Sequence, residues 1–163
     1  MANASCDSFA LGEILGHVAL PARVTDTASA LASQAWDAAA AQEFCGDAVE
    51  TFSLHDRFPQ AAELLPPGLL EKYGLSVDHS ARQELVATYG VEQHQDHVHG
   101  LILFLVLHND GLAFRQGKAR HTSTAGDFFV FDDRKNHGVR EVAGRGMFLG
   151  WAIPVHRLAG ARR

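Results

Sequence analysis

Side chains that could bind a metal ion are concentrated in the second half of the chain. Six of the ten histidines fall within 44 residues, between positions 94 and 137. Histidine is the commonest metal ligand, and it is the side chain that most readily exchanges protons near neutral pH. We therefore expect the chemistry of the protein to lie in this stretch.

The spacing of His94 and Asp96 suits a shared metal ion. Side chains at positions i and i+2 of an extended segment point to the same side, so an imidazole and a carboxylate face a common point. A third ligand must come from elsewhere, and His137 follows the apolar segment 126–131 after a short loop. Two histidines and one carboxylate form the facial triad of non-haem Fe(II) oxygenases, which leaves coordination positions open. The pattern predicts a catalytic iron site at His94, Asp96 and His137.

A positively charged side chain follows the third predicted ligand in the sequence. Arg145 lies eight residues after His137, where the next strand is expected to begin. A buried arginine is costly unless it meets a carboxylate, and a dicarboxylate cosubstrate would supply one.

The elements that must position these residues are mostly short strands. Seven are predicted, with turn-like separators such as Asn109-Asp110-Gly111 between them, and this pattern favours a β-sandwich or a jelly roll. The predicted strands are Glu84–Tyr89, Leu101–Leu107, Leu112–Arg115, Ala119–Thr122, Asp127–Phe131, His137–Val142 and Met147–Ile153.

The first half of the chain is predicted to be a support for these strands. A helix is expected from Thr25 or Asp26 to about Phe44, a strand over 49–54, and two short helices after Pro59. At 163 residues the chain predicts one domain, with a helical support over about 1–83 and a β core over about 84–155.

Composition excludes several classes of function. The net charge is 14 − 19 = −5, which argues against a nucleic-acid partner. The longest apolar run has seven residues, whereas a membrane span needs about 20. Two cysteines and no signal-peptide pattern lead us to expect a cytoplasmic protein.

The stretch from Tyr89 to Trp151, about 63 of the 163 residues, resembles the core of the Fe(II)/2-oxoglutarate-dependent dioxygenases. Its layout is most similar to the prolyl-hydroxylase-like branch of that superfamily. The shared elements are an aromatic–Gly pair, a His-x-Asp triplet, an apolar strand, a Gly-Asp strand, a histidine, and a Gly-Arg pair before a strand that ends in tryptophan. In this sequence they are Tyr89-Gly90, His94-Gln-Asp96, Leu101–Leu107, Gly126–Phe131, His137-Gly-Val139, and Gly144-Arg145 to Trp151.

The resemblance implies a double-stranded β-helix, the cupin-like form of the jelly roll, that oxidises a small molecule or an exposed peptide residue. His94, Asp96 and His137 would bind Fe(II), Arg145 would pair with the distal carboxylate of 2-oxoglutarate, and Tyr89 would add a hydrogen bond to it. The cosubstrates would be 2-oxoglutarate and O₂, and the reaction would release succinate and CO₂. Related halogenases place Gly or Ala at the carboxylate position, so Asp96 favours hydroxylation. The loop between His137 and Arg145 is about two residues shorter than that branch leads us to expect.

Two alternatives remain open from the sequence. One is a non-catalytic module that binds a metal or 2-oxoglutarate. The other is a cupin-type metalloenzyme without a cosubstrate, with His97, His99 and His137 as ligands. A cupin motif also requires a glutamate soon after its histidine pair, and none occurs before Glu141. The aromatic segment Phe128–Phe131 is expected to alternate between two sides of a core, with pocket lining as its second interpretation.

Overall fold

The computed structural model describes residues 7–41, 49–51, 57–97, 99–141 and 146–159, with the backbone only for 34–41, 49–51 and 141. These residues form three helices: α1 (Ala22–Ala41), α2 (Ala61–Leu64) and α3 (Leu69–Lys72). They also form eleven strands: β1 (Ile14–His17), β2 (Val49–Thr51), β3 (Leu75–Val77), β4 (Glu84–Thr88), β5 (Val91–His94), β6 (Leu101–Asn109), β7 (Leu112–Gln116), β8 (Ala119–His121), β9 (Asp127–Asp132), β10 (His137–Glu141) and β11 (Phe148–Arg157).

The strands from β4 to β11 pair as one long hairpin wound on itself. The innermost pair is β7 with β8, and the next pairs outward are β6 with β9, β5 with β10, and β4 with β11, all antiparallel. The winding places these strands in two sheets, with the orders β9-β6-β11-β4 and β5-β10-β7-β8. Nested antiparallel pairs divided between two sheets define the double-stranded β-helix, so the predicted fold class is confirmed.

The first half of the chain extends and covers the larger sheet. Strand β1 pairs with β9, β2 pairs with β4, and β3 pairs with β11, which gives this sheet seven strands. Helix α1 packs on the sheet through Val24, Ala28, Leu31 and Ala32, whose spacing places them on one helix face.

The larger sheet is buried on both faces, which explains its nearly continuous apolar strands. In β6, Leu103 and Leu105 belong to a cluster on the helix side, whereas Phe104 and Val106 belong to a second cluster between the two sheets. Phe128 and Phe129 alternate in the same way in β9, as expected for that segment. The cluster between the sheets forms the interior of the barrel.

Helix α1 begins earlier than the sequence predicts, at Ala22 and not at Thr25 or Asp26. Its first turn starts at Ala22 because the carbonyl of Pro21 accepts hydrogen bonds from the amides of Val24 and Thr25. The Thr25 hydroxyl donates to the carbonyl of Ala22 inside the helix, so it does not cap it. The predicted end near Phe44, the last part of the strand expected over 49–54, and both cysteines lie outside the described residues.

All seven strands predicted from Glu84 onward are present, and six of them begin at the predicted residue. The last residues of the strands differ from the prediction by one to four positions, apart from the predicted end at Val142, which lies outside the described residues. Three strands, β1, β3 and β5, were not predicted, and each has only three or four residues. Within the part of the chain that is described, no helix is long and apolar enough to cross a membrane.

Candidate metal centre

His94 and Asp96 lie where strand β5 ends and the chain turns toward β6. His94 is the last residue of β5, and His97 has a positive φ of 59°, which bends the backbone directly after Asp96. The amide of Asp96 donates to the carbonyl of Asp133 in the turn between β9 and β10 at 2.9 Å. The segment that carries the carboxylate is therefore attached to a neighbouring turn.

His137 enters the site from the adjacent strand. It is the first residue of β10 and lies opposite His94 in the β5–β10 pair. The centroids of the two imidazole rings are 4.5 Å apart. The pairing of two strands therefore brings together two histidines that are 43 residues apart in sequence.

The three side chains converge on one point. The His94 Nε2 lies 3.2 Å from Asp96 Oδ1, and the His137 Nε2 lies 3.4 Å from Asp96 Oδ2. All three ligand atoms lie within 4.8 Å of one another. Ligands at about 2.1 Å from a metal and at right angles to one another are about 3 Å apart, so the spacing suits a single ion.

Both histidines present the nitrogen that a metal requires. The Nδ1 of His94 is 2.8 Å from the carbonyl of Glu92, and the Nδ1 of His137 is 2.9 Å from the carbonyl of Lys135. A carbonyl can only accept, so each Nδ1 carries the proton and each Nε2 presents its lone pair to the site. Metal-binding histidines are held in this way in most proteins.

The site is closed on one side and open on the other. The His137 side chain is 8% exposed, whereas His94 and Asp96 are 35% and 44% exposed. The Phe131 ring packs on the imidazole of His137 at 4.8 Å between centroids. A metal ion bound here would have protein behind it and space in front of it.

Asp133 is a functional residue that the sequence reasoning missed. Its side chain is buried, and its carboxylate accepts hydrogen bonds from the amides of His99 at 2.9 Å and Gly100 at 2.7 Å. Its own amide donates to the carbonyl of Gly100 at 2.8 Å. Asp133 therefore holds the loop that carries Asp96. The only signal in the sequence is a pair of aspartates in a turn before His137.

A second set of contacts holds the turn on its other side. The Gln116 carboxamide donates to the carbonyl of Asp132 at 2.8 Å and accepts from its amide at 3.0 Å. The Arg134 guanidinium binds both oxygens of the Asp132 carboxylate, and this hydrogen bonding lowers the pKa of Asp132 below its ordinary value. The turn that leads into His137 is thus held by Gln116 of β7 and by its own Asp132–Arg134 pair.

A cavity of about 380 Å³ extends from the three ligands into the barrel between the sheets. Asp96 and His99 line it and are exposed, so the cavity reaches solvent at the metal end. Most of its lining is apolar: Val86, Val91, Ile102, Phe104, Phe114, Phe129, Phe131, Val139, Phe148 and Ala152.

The structure brings together His94, Asp96 and His137, but it places the other predicted site residues differently. Tyr89 packs against the helix-side cluster, and it is not among the residues that line the cavity. Its role toward 2-oxoglutarate stays a prediction. His97 is exposed and His99 lines the cavity, and neither belongs to the cluster of ligand atoms found in the described residues.

Arg145 lies outside the described residues, but the residues that bracket it are placed. Glu141 is the last residue of β10 and pairs with Leu112. His137 is the first residue of the same strand, so the two are about 13 Å apart. The carbonyl of Met147 accepts a hydrogen bond from the amide of Asp110 in the turn next to Leu112. Glu141 and Met147 therefore lie at the end of the barrel remote from the metal site.

Comparisons with known proteins give little further information. No protein-family model and no curated protein matches the sequence. The structure is similar to an RmlC-like cupin protein from Desulfovibrio desulfuricans, with 21% identity over 48% of this chain and 79% of that chain and a TM-score of 0.33. It is also similar to Rhodobacter sphaeroides SigE in complex with the anti-sigma ChrR, with 19% identity over 84% of this chain and 98% of that chain and a TM-score of 0.31. Both scores are low, so the fold is assigned from the strand pairing.

Proposed function

We propose that the protein is a mononuclear non-haem iron oxygenase, with His94, Asp96 and His137 as the ligands of Fe(II). The observation that carries this proposal is the convergence of two Nε2 atoms and one carboxylate at the open end of a barrel cavity. Two histidines and one carboxylate on one face are the donor set of non-haem Fe(II) oxygenases. A structural zinc site, by contrast, uses four protein ligands and leaves no open position.

The three ligand residues fit an iron ion, and their contacts indicate what the protein would contribute to its chemistry. The fixed Nδ1 positions keep both histidines in the metal-binding tautomer, and the Asp96 carboxylate offsets part of the charge of the ion. Bound Fe(II) would supply the redox chemistry with O₂. The apolar barrel would exclude water and position the substrate beside the open coordination positions.

The finer part of the proposal is that 2-oxoglutarate is the cosubstrate. The net reaction would convert substrate, O₂ and 2-oxoglutarate into hydroxylated substrate, succinate and CO₂. This part is supported by the order of the sequence elements around Tyr89, Asp96 and Arg145. The substrate would be a small molecule or an exposed peptide residue, and the protein would work in the cytoplasm, where Fe(II) remains reduced.

The visible spectrum of the anaerobic Fe(II) protein tests the cosubstrate. Addition of 2-oxoglutarate should give a weak charge-transfer band, because the keto acid chelates iron that has open positions. Asp96→Ala should abolish the band, and Arg145→Ala should weaken it by lowering the affinity for 2-oxoglutarate at least tenfold. Arg120→Ala, which changes an exposed arginine on β8, is the matched control and should leave the band unchanged.

A cupin-type metalloenzyme without a cosubstrate is the second candidate, and one observation favours it. Among the described residues that line the cavity, none is a lysine or an arginine. Iron binding without a 2-oxoglutarate band, and with no effect of Arg145→Ala, would identify this second function. Stabilisation by 2-oxoglutarate with no succinate formed over a broad panel of substrates would instead identify a non-catalytic binding module.

A further inference from the structure

The barrel cavity has a polar end and an apolar end, and the apolar end is built from phenylalanine rings. The rings of Phe104 and Phe129 are stacked with centroids 5.6 Å apart, and the rings of Phe104 and Phe148 are stacked at 5.1 Å. The apolar end also receives Phe114, whose ring centroid lies 4.5 Å from that of Phe129. Aromatic rings packed in this way offer faces and edges to another ring.

The charged groups of the described lining disfavour an anionic group in the apolar part of the cavity, away from the metal ion that would hold a chelating 2-oxoglutarate. The described lining contains three carboxylates, of Glu84, Asp96 and Asp133, and no lysine or arginine. A carboxylate or phosphate on a ligand would lose its hydration in the apolar part without gaining a cationic partner, which is costly. A cationic group is not disfavoured in this way, because the lining residue Glu84 pairs with Ala152, which in turn pairs with Phe104.

The size of the cavity limits its ligand to a small molecule. A dry apolar cavity of about 150 Å³ binds benzene in another protein. The cavity here is about 380 Å³, which is enough for a substituted single ring or a fused pair of rings. Ligand sites of this size in proteins are typically apolar with a few polar groups at one end.

We infer that this cavity binds a small molecule that contains an aromatic ring and no anionic group, with the ring among Phe104, Phe129 and Phe148 and the remainder toward Asp96. The binding of such a molecule is independent of the proposed oxygenase function, but its role as the substrate rests on that function. The substrate class is thereby narrowed to aromatic compounds without anionic groups, and peptides with an acidic residue at the reacting position are disfavoured.

Fluorine NMR on the metal-free protein tests the inference with three probes that differ mainly in charge. The probes are 4-fluorotoluene, 4-fluorobenzoate and 4-fluorobenzylamine. We expect 4-fluorotoluene to bind at least tenfold more tightly than 4-fluorobenzoate, and 4-fluorobenzylamine to bind more tightly than 4-fluorobenzoate. Equal binding of 4-fluorobenzoate, or no binding of 4-fluorotoluene, would overturn the inference.

A substitution that fills the cavity locates the bound probe. Ala152 lines the cavity on β11, and Ala152→Leu should weaken 4-fluorotoluene binding at least tenfold. Ala119→Leu is the matched control, because Ala119 is also a half-buried strand alanine but does not line the cavity, and it should bind the probe like the wild type. Equal weakening by both variants would contradict binding in the barrel.

A paramagnetic measurement gives the same information without a variant that must fold. In protein loaded with Co(II), the bound 4-fluorotoluene resonance should relax faster than in the metal-free protein. No change in relaxation of a bound probe would place it away from the ligands and overturn the inference. Probe binding without metal binding would contradict only the proposed function, whereas metal binding without probe binding would contradict only the inference.

Discussion

At the scale of single residues, two backbone carbonyls determine which nitrogen of each histidine faces the site. The carbonyl of Glu92 fixes His94, and the carbonyl of Lys135 fixes His137, so the Nε2 atoms of both rings face the Asp96 carboxylate. These two contacts orient each imidazole without using the metal-binding nitrogen, which reduces the ordering that metal binding must impose.

Asp133 is predicted to control metal affinity without touching the metal. Asp133→Asn removes the second strong acceptor that holds the amides of His99 and Gly100, so the loop that carries Asp96 should become less ordered. Loss of such a supporting group typically costs about 10–100-fold in metal affinity. Calorimetric titration with Fe(II) or Co(II) measures this change.

The neighbouring Asp132 provides the control for that prediction. Its carboxylate binds Arg134 and not the Asp96 loop, so Asp132→Asn should change metal affinity less than Asp133→Asn. Equal losses in the two variants would mean that Asp133 acts only through the general stability of the turn.

At the scale of elements, the sequence predicted every strand that is long and buried on both faces, and also the three-residue β8, which turn residues precede. The apolar run in β6 and the alternating phenylalanines in β9 depend on local pattern, and both are present as expected. Strands β1, β3 and β5 have three or four residues each and owe their form to pairing with distant strands, which no local pattern reveals.

The ligand cluster was predictable for a different reason. The i and i+2 spacing of His94 and Asp96 is local, but their meeting with His137 depends on the β5–β10 pair, which only a fold hypothesis could supply. The support by Asp133 and the depth of the cavity depend on the contacts of whole sheets, so neither followed from the sequence.

His121 is predicted to make the stability of the barrel dependent on pH. It lies at the end of β8 with its ring stacked on Phe114 and edge-on to Phe129. Burial lowers the pKa of His121 below its ordinary value of 6.5, against the opposing effects of Asp127 and the backbone of Gly12. The folded protein therefore keeps this histidine neutral at a pH where the unfolded chain protonates it.

The sign of the pH effect follows from proton linkage. Below the ordinary pKa of 6.5 the unfolded state binds the additional proton, so the free energy of unfolding falls as the pH is lowered. His121→Phe retains the ring packing without a titratable group. Urea denaturation should show that the variant gains stability relative to the wild type as the pH is lowered from about 7.5 to about 5.5. A constant difference between the two proteins across this range would contradict the assignment.

At the scale of the whole molecule, the barrel is predicted to fold without metal and to be stabilised by it. None of the three ligands belongs to either hydrophobic cluster, so the core should form without the ion and the free energy of metal binding should add to the stability of a folded protein. A ligand at 100 times its Kd adds about 2.7 kcal/mol, which corresponds to a rise in Tm of roughly 5–10 °C for a domain of this size. Calorimetry should show this rise for the wild type and none for Asp96→Ala, whereas a metal-free protein that is unfolded would contradict the prediction.

The central claim is that His94, Asp96 and His137 form the metal site, and anaerobic measurement of bound Fe(II) tests it most directly. We expect one Fe(II) per chain in the wild type, and at least a hundredfold loss of affinity on replacing any one of the three by alanine. A variant with both His97→Ala and His99→Ala is the matched control, because these histidines follow in the same loop but lie outside the cluster. Unchanged binding in the three ligand variants, or loss of binding in the control, would contradict the account.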